Sequence, residues 1–391
     1  MMNQPIEVAV VGGGMVGAAA ALGLANSGFR VAVIEHLAPA EFQPGSPPDV
    51  RISAIGAQSV SLLQSLGVWE SVLSMRAHPY RRLETWEWER AQVSFAANEL
   101  GLPELGFMVE NLVLQQALWQ ALVKHPQITL CCPAQLTQMQ RSESGWTLSF
   151  KDGESLNVPM VIGADGANSQ IRQWAGIGIH AWQYRQSCML ITVQCDESPG
   201  DSTWQHFTPA GPHAFLPLFD NWASLVWYDE PARIRQLQGM SMAQLQKSIA
   251  RHFPARLGHV TPVASGAFPL TRRHALKYVK PGLALIGDAA HTIHPLAGQG
   301  VNLGYRDVQA LLDVMTDARH LGEQWASLEV LARYQSKRKL DNLMMQTGMD
   351  LFYVGFSNNL APVRTIRNLG LMAAQRSGGL KQQALKYALG L

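Results

Sequence analysis

The sequence predicts an α/β fold in which a parallel-sheet domain, split along the chain, carries an inserted mixed or antiparallel sheet domain and a helical C-terminus. Three ordered glycine-bearing signatures predict it: Gly12-Gly13-Gly14-Met15-Val16-Gly17; Asp165-Gly166-Ala167-Asn168-Ser169-Gln170-Ile171-Arg172; and Gly287-Asp288-Ala289-Ala290-His291, running on to Pro295 and Gly298-Gln299-Gly300-Val301-Asn302. The first and third each follow a short apolar run, and strand, tight turn, helix is the repeating unit of doubly wound sheets.

In the first signature, residues 6–11 form an apolar, β-branched run, the glycines follow at Gly-x-Gly-x-x-Gly spacing, and residues 18–24 open a helix of small residues. Gly12 permits the turn, Gly14 lets backbone N–H groups approach a pyrophosphate, and Gly17 lets helix and strand pack closely, with the diphosphate at the helix's positive end. A second strand over 31–34 ends in Glu35, where a carboxylate accepts both hydroxyls of a ribose. Together these make a Rossmann dinucleotide-binding unit.

The third signature decides which dinucleotide. Residues 283–286 read as a buried strand, and Gly287-Asp288 ends it at the sheet edge where open α/β folds bind ligands. A carboxylate there suits a polyol such as the ribityl chain of FAD, which NAD lacks. Beyond Pro295, Gly298-Gln299-Gly300 leads into a helix over 301–315, whose free N–H groups would face flavin oxygens and stabilise the anionic reduced ring. Non-covalently bound FAD accounts for all three signatures.

In order and spacing these motifs resemble the group A flavoprotein aromatic hydroxylases with the para-hydroxybenzoate hydroxylase fold, over nearly the whole chain. The resemblance implies that Gly12, Gly14, Gly17 and Glu35 hold the ADP half and Asp288 the ribityl chain. It implies that Pro295 with Gly298, Gln299, Gly300, Val301 and Asn302 lines the isoalloxazine. Asp165, Gly166 and Arg172 would assist FAD and a transient NADH or NADPH, and Arg51, within Asp49-Val50-Arg51-Ile52-Ser53-Ala54-Ile55, would lie near the FAD. The stretch 49–54, Arg82-Leu83-Glu84-Thr85-Trp86 and the stretch 352–360 narrow the resemblance to the ubiquinone-biosynthesis hydroxylases. The chain departs from the pattern at Val109-Glu110-Asn111-Leu112, where many aromatic hydroxylases carry an arginine before the helix that backs the FAD.

The implied chemistry is that NAD(P)H reduces FAD, the reduced flavin adds O2 to give a C4a-hydroperoxide, and a polyprenyl benzoquinol ring takes up the distal oxygen. The protein then has to orient the ring and exclude water. Pro295, Gly298, Gln299 and Gly300 are the catalytic candidates, acting through shape and dipole. For deprotonating the quinol, Tyr184, Tyr228, Tyr305 and Tyr353 remain unseparated. A hydroxylase of another ring position or phenol, or a flavin reductase or halogenase, would share the scaffold, but the Trp-containing signature of a halide tunnel is not found.

Composition agrees with a folded cytoplasmic enzyme. The 391 residues suffice for two domains, 47% hydrophobic against 15% charged content favours large cores over solvated tails, and a net charge of +2 leaves no nucleic-acid footprint. Cys131, Cys132, Cys188 and Cys195 contain no Cys-x-x-Cys pair and read as reduced, packed thiols. No apolar run is long enough for a membrane span, and the early first strand leaves no room for a signal peptide. His291 and His294 lack the acidic or thiolate companions of a metal site.

The FAD-binding pieces are expected at 1–75, 105–180 and 268–340. Between them, 76–104 and 181–267 have strand texture: a hairpin over 78–100 and short runs at 187–194, 214–218 and 223–228. These should form the substrate domain over the flavin. Trp86, Trp88, Trp222 and Trp227 read as sheet packing more than as a substrate pocket. Residues 176–181 mimic a second fingerprint but follow a helix-like segment, so NAD(P)H has no domain of its own. The helical end, 341–391, has no Asp or Glu from Leu351 onward. Its Arg364, Arg367, Arg376, Lys381 and Lys386 suit a peripheral contact with the inner membrane or with other ubiquinone-biosynthesis proteins; the competing reading is a helix pair packed on the flavin domain.

Overall fold

The computed structural model describes residues 5–292, 300–356 and 361–389. A six-stranded sheet takes the order Val279–Lys280, Leu283–Leu285, Met160–Gly163, Val8–Val11, Val31–Ile34, Ile128–Cys131, and every neighbouring pair but the first is parallel. Val8–Val11, Val31–Ile34 and Met160–Gly163 are buried at every position. A sheet covered on both faces selects unbroken apolar strands over alternating ones, which is why these runs are visible in the sequence. The helix Met15–Asn26 keeps Ala18 to Ala21 at 1% exposure or less within the same core as Val308, Leu311 and Met315 of the helix Gly300–His320.

A second, eight-stranded sheet runs His291–Thr292, Val260–Ala275, Ile179–Cys195, Trp222–Asp229, Gly211–Pro217, Ser202–Thr208, Arg82–Trp86, Val93–Ala96. It is antiparallel except where Ser202–Thr208 pairs parallel with Arg82–Trp86, so the inserted sheet is mixed. Ile179–Cys195 and Val260–Ala275 are far longer than their apolar runs suggest, and they pass unbroken through residues 180/181 and 267/268, where the sequence places domain boundaries. Pro262 and Pro269 lie within the second of these strands. Both sit at register shifts, opposite Val193 and Ser187, where the ladder is already interrupted and a missing N–H is tolerated. Arg273 and His274 pair with Thr292 and His291, which joins this sheet to the third signature.

One face of the large sheet packs Trp86, Trp204, Trp227 and Phe215 under Ile234 and Leu237 of the helix Pro231–Gln238 and Leu245 and Ile249 of the helix Met242–His252. Trp86 and Trp227 are therefore core. Trp222 packs partly buried on the opposite face and Trp88 is exposed. A smaller sheet, Ile52–Gly56, Gly106–Glu110, His78–Tyr80, is not visible in the sequence; its edges deliver Arg51 and Asn111 to the site.

The chain ends in the helices Leu328–Phe356, Ala361–Arg376 and Gly379–Leu389. Arg364, Arg367 and Asn368 converge on the buried carboxylate of Glu87, and Lys381 pairs with Glu99 at 2.8 Å. The helix Leu328–Phe356 thus packs on the flavin-binding half through Val330, Leu331, Tyr334 and Arg338, whereas Ala361–Arg376 and Gly379–Leu389 are tied to the hairpin segment of the large sheet, and three of the five basic residues are tied inward. Arg376 and Lys386 are exposed. Among the described residues no helix is long and apolar enough to cross a membrane.

Candidate FAD and substrate site

The first signature builds its turn from steric necessity. Gly12 has φ +106°, and a Cβ there would lie 2.4 Å from the Ala164 carbonyl oxygen; a Cβ on Gly17 would lie 2.0 Å from that of Gly12. A Cβ on Gly14 would meet nothing within 4 Å, so its bare Cα faces open space at the N-terminus of the helix Met15–Asn26. Glu35 accepts the Gly13 N–H at 2.6 Å. The Gly13 carbonyl accepts from Trp119 Nε1 at 2.6 Å and Gln115 Nε2 at 3.2 Å, a buttress from the helix Asn111–Lys124 that no local signal in the sequence reveals.

Two cavities meet at this turn. One, about 480 Å³, is lined by Gly12, Glu35, Gln135, Asp165 and Trp174. The other, about 430 Å³, lies between Arg51, Asn111, Asp288, Gly300 and Val301 on one side and Leu190, Leu216, Ser224, Val226, Tyr228 and Phe268 of the large sheet on the other. Gly14, Ala164 and Gly166 line both. The space therefore has two ends and a glycine waist.

Asp165 caps the helix Gln170–Trp174 by accepting the N–H groups of Gln170 and Ile171 at 2.8 and 3.1 Å through Oδ2, while its buried Oδ1 has no hydrogen-bond partner among the described residues. Arg172 turns inward. It is 5% exposed, donates to the carbonyls of Ala289 (2.9 Å) and Ala167 (3.1 Å), and lines neither cavity, so it braces the second signature against the third. Asn302 is also a brace: it donates to the Ala54 carbonyl at 2.7 Å and accepts from Gly56 N–H at 3.1 Å and Ser59 Oγ at 2.7 Å. Pro295, Gly298 and Gln299 lie outside the described residues. At the departure from the aromatic-hydroxylase pattern, Glu110 pairs with Arg76 at 2.9 Å, and Arg51 supplies a cation to the cavity that Asn111 lines.

Asp288 is accessible to solvent, yet protein surrounds it at the foot of the cavity. That burial pushes its carboxyl pKa above the ordinary value, against the pull of His291, Arg273 and Arg51. It makes no hydrogen bond to a described residue. Its turn is held by a residue the sequence does not flag: Asp307, fully buried, which accepts from Gly287 N–H at 3.0 Å, pairs with His291 Nε2 at 2.5 Å and Arg338 Nε at 2.9 Å, and accepts from Asn342 Nδ2 at 3.2 Å. Burial alone would raise its pKa; His291 and Arg338 outweigh this and hold it below the usual range. The only sequence signal for it is an acid on the apolar face of an amphipathic helix, beside Leu303, Val308 and Leu311.

The FAD binding domain family matches residues 5–343. The chain is 71% identical over 391 residues, covering 100% of both, to 3-demethoxyubiquinol 3-hydroxylase of Escherichia coli (strain K12). It belongs to the FAD-dependent ubiquinone hydroxylases. This hydroxylase is also 37% identical to the ubiquinone hydroxylase UbiL of Rhodospirillum rubrum, over 99% of this chain and 90% of the relative. Its fold matches p-nitrophenol 4-monooxygenase PnpA of Pseudomonas putida DLL-E4 with a TM-score of 0.82 over 99% and 98% of the two chains; at 19% identity that likeness concerns the fold alone.

The hydroxylase is a flavoprotein monooxygenase, and its residues fit FAD. A long bipartite space passes a glycine that leaves the cavity clear, ends at one side by a carboxylate just after the second strand, and at the other carries an accessible acid with no hydrogen-bond partner among the described residues. Of the four tyrosines left open by the sequence, Tyr228 lines the cavity, Tyr184 donates to Asp350 at 2.6 Å, Tyr305 is buried outside the lining, and the Tyr353 side chain lies outside the described residues.

Proposed function

We propose that this hydroxylase uses NAD(P)H and O2 to hydroxylate the ring of a polyprenyl benzoquinol, demethoxyubiquinol, with FAD lying across the two joined cavities. The observation that carries the reading is their shape: one end closes on Glu35, and the other is walled by the apolar face of the large sheet. Bound FAD supplies the activation of O2 and the transfer of one oxygen atom. Gly12, Gly14 and Gly17 seat the diphosphate at the positive end of the helix Met15–Asn26, Glu35 takes the adenosine ribose, and Asp288 takes the ribityl chain. Arg51 and the helix start at Gly300 and Val301 offset negative charge on the ring system. Asp165 and Gly166 assist from the waist, and Arg172 and Asn302 position backbone.

Leu190, Leu216, Val226 and Phe268 orient the quinol ring and exclude water. Burial, with Cys188 beside it, holds the Tyr228 phenol far above its ordinary pKa, so it stays protonated and serves as a wall and a donor in preference to a base. For a quinol carried in a bilayer, the exposed Arg376 and Lys386 with Ile366 and Leu369 offer a peripheral contact with the inner membrane.

Labelled dioxygen tests the reading: ¹⁸O from O2 enters the ring with one NAD(P)H consumed per turnover, whereas label arriving from water refutes it. Asp288→Ala is expected to lose a charge-assisted hydrogen bond of about 1.5–3 kcal/mol and to lower FAD affinity about tenfold to a hundredfold. Titration of the apoprotein with FAD measures this, and an unchanged affinity removes Asp288 from the site.

A further inference from the structure

Ser224, on the wall of the substrate-side cavity, and Thr192, directly across the strand pair from it, carry hydroxyls with no hydrogen-bond partner among the described residues. Ser224 and Thr192 stand directly opposite each other on neighbouring strands, so their side chains leave the same face, and the two-residue period of a strand puts Leu190 and Val226 on that face as well. Both are 0% exposed, and neither Oγ has a hydrogen-bond partner among the described residues. Ser224 lines the cavity, and Leu216, its neighbour on the next strand, lines it too. A buried hydroxyl is normally paired, because leaving it unpaired forfeits its interaction with water. Two adjacent unpaired ones in an otherwise apolar wall are unusual for packing alone. Each can both donate and accept, and convergent polar groups in an apolar pocket are what fixes the orientation of a small ligand.

We infer that Ser224 and Thr192 hydrogen-bond an oxygen substituent of the substrate ring and so select which ring edge is presented for hydroxylation. The inference rests on the proposed benzoquinol substrate. It makes the pair positioning residues; neither moves a proton in the reaction.

The test uses the FAD-loaded full chain with Ser224→Ala, Thr192→Val, the double variant and the conservative Thr192→Ser. Binding of a short-tail methoxybenzoquinol is followed by its perturbation of the flavin spectrum, alongside KM, peroxide release and Tm. Each hydroxyl-deleting variant is expected to weaken binding and raise KM about tenfold and to release more peroxide, while Tm stays equal or rises, because an unpaired buried hydroxyl has been removed. Thr192→Ser retains wild-type binding. In the wild type an analogue lacking one ring oxygen binds more weakly, and in the double variant that discrimination disappears. Unchanged binding and coupling in the double variant overturn the inference, as does a fall in Tm with binding intact, which marks a purely structural pair. If the wild type binds the probe in a Ser224-dependent way yet yields no hydroxylated ring, the subsite stands and the proposed reaction fails.

Discussion

Asp307→Ala is expected to cost about 3–5 kcal/mol of stability, because it strands Arg338 and His291 in the interior without the carboxylate that compensates them. Arg338 keeps Asp341 and Asn342 as partners, which limits the loss toward the lower end. The effect reaches the site as well as the fold. Asp307 holds the Gly287 N–H, so its removal loosens the turn that carries Asp288, and FAD affinity should fall together with stability. Denaturant unfolding and FAD titration on the same variant measure both. A loss under about 1 kcal/mol would show that the network is replaced by water and does not organise the turn.

Glu87→Gln is the second large expectation. The Glu87 side chain is 2% exposed and holds Arg367, itself 7% exposed, together with Arg364 and Asn368, so it fastens the C-terminal helices to the hairpin of the large sheet. Neutralising it removes the carboxylate that the nearly buried Arg367 shares with Arg364, an expected loss of about 3 kcal/mol. The sign of the pH dependence follows from the carboxyl: burial raises its pKa, but Arg367, Asn368 and Arg364 prevail and hold it below the ordinary 4.5. A folded-state pKa below the unfolded one means that the contribution is complete above about 4.5 and is lost as pH falls through the folded value. The stability gap between wild type and Glu87→Gln should therefore be widest near neutrality and close in acid. A gap that stays constant from pH 7 down to pH 3 would remove the charge from the explanation.

How much of this was legible depended on whether a residue's role is local. Val8–Val11 and Val31–Ile34 announce themselves because both faces are covered, and Gly12 and Gly17 because their backbones admit no side chain. Glu35 and Asp288 do line the cavities, as their places at strand ends suggest. The same signatures could not disclose that Arg172 and Asn302 turn away to brace carbonyls, since a motif gives spacing and not side-chain direction. Asp307, Trp119 and Ser224 went unread because their partners, or the wall they belong to, lie far along the chain. The basic C-terminal run looks like an open surface for the same reason: Arg367 meets Glu87 across 280 residues of sequence and Lys381 meets Glu99 across 282.

The two long strands, Ile179–Cys195 and Val260–Ala275, limit how the enzyme can exchange its substrate. Ile179–Cys195 carries Leu190 and Val260–Ala275 carries Phe268 in the cavity wall, the two strands are paired along their length, and the second is stitched at Arg273 and His274 to Thr292 and His291 of the third signature. A lid-like swing of one half over the other would have to tear backbone pairing along these strands. Exchange is left to movements smaller than such a swing, and among the described residues Arg51 and Phe268 are cavity-lining side chains exposed to solvent.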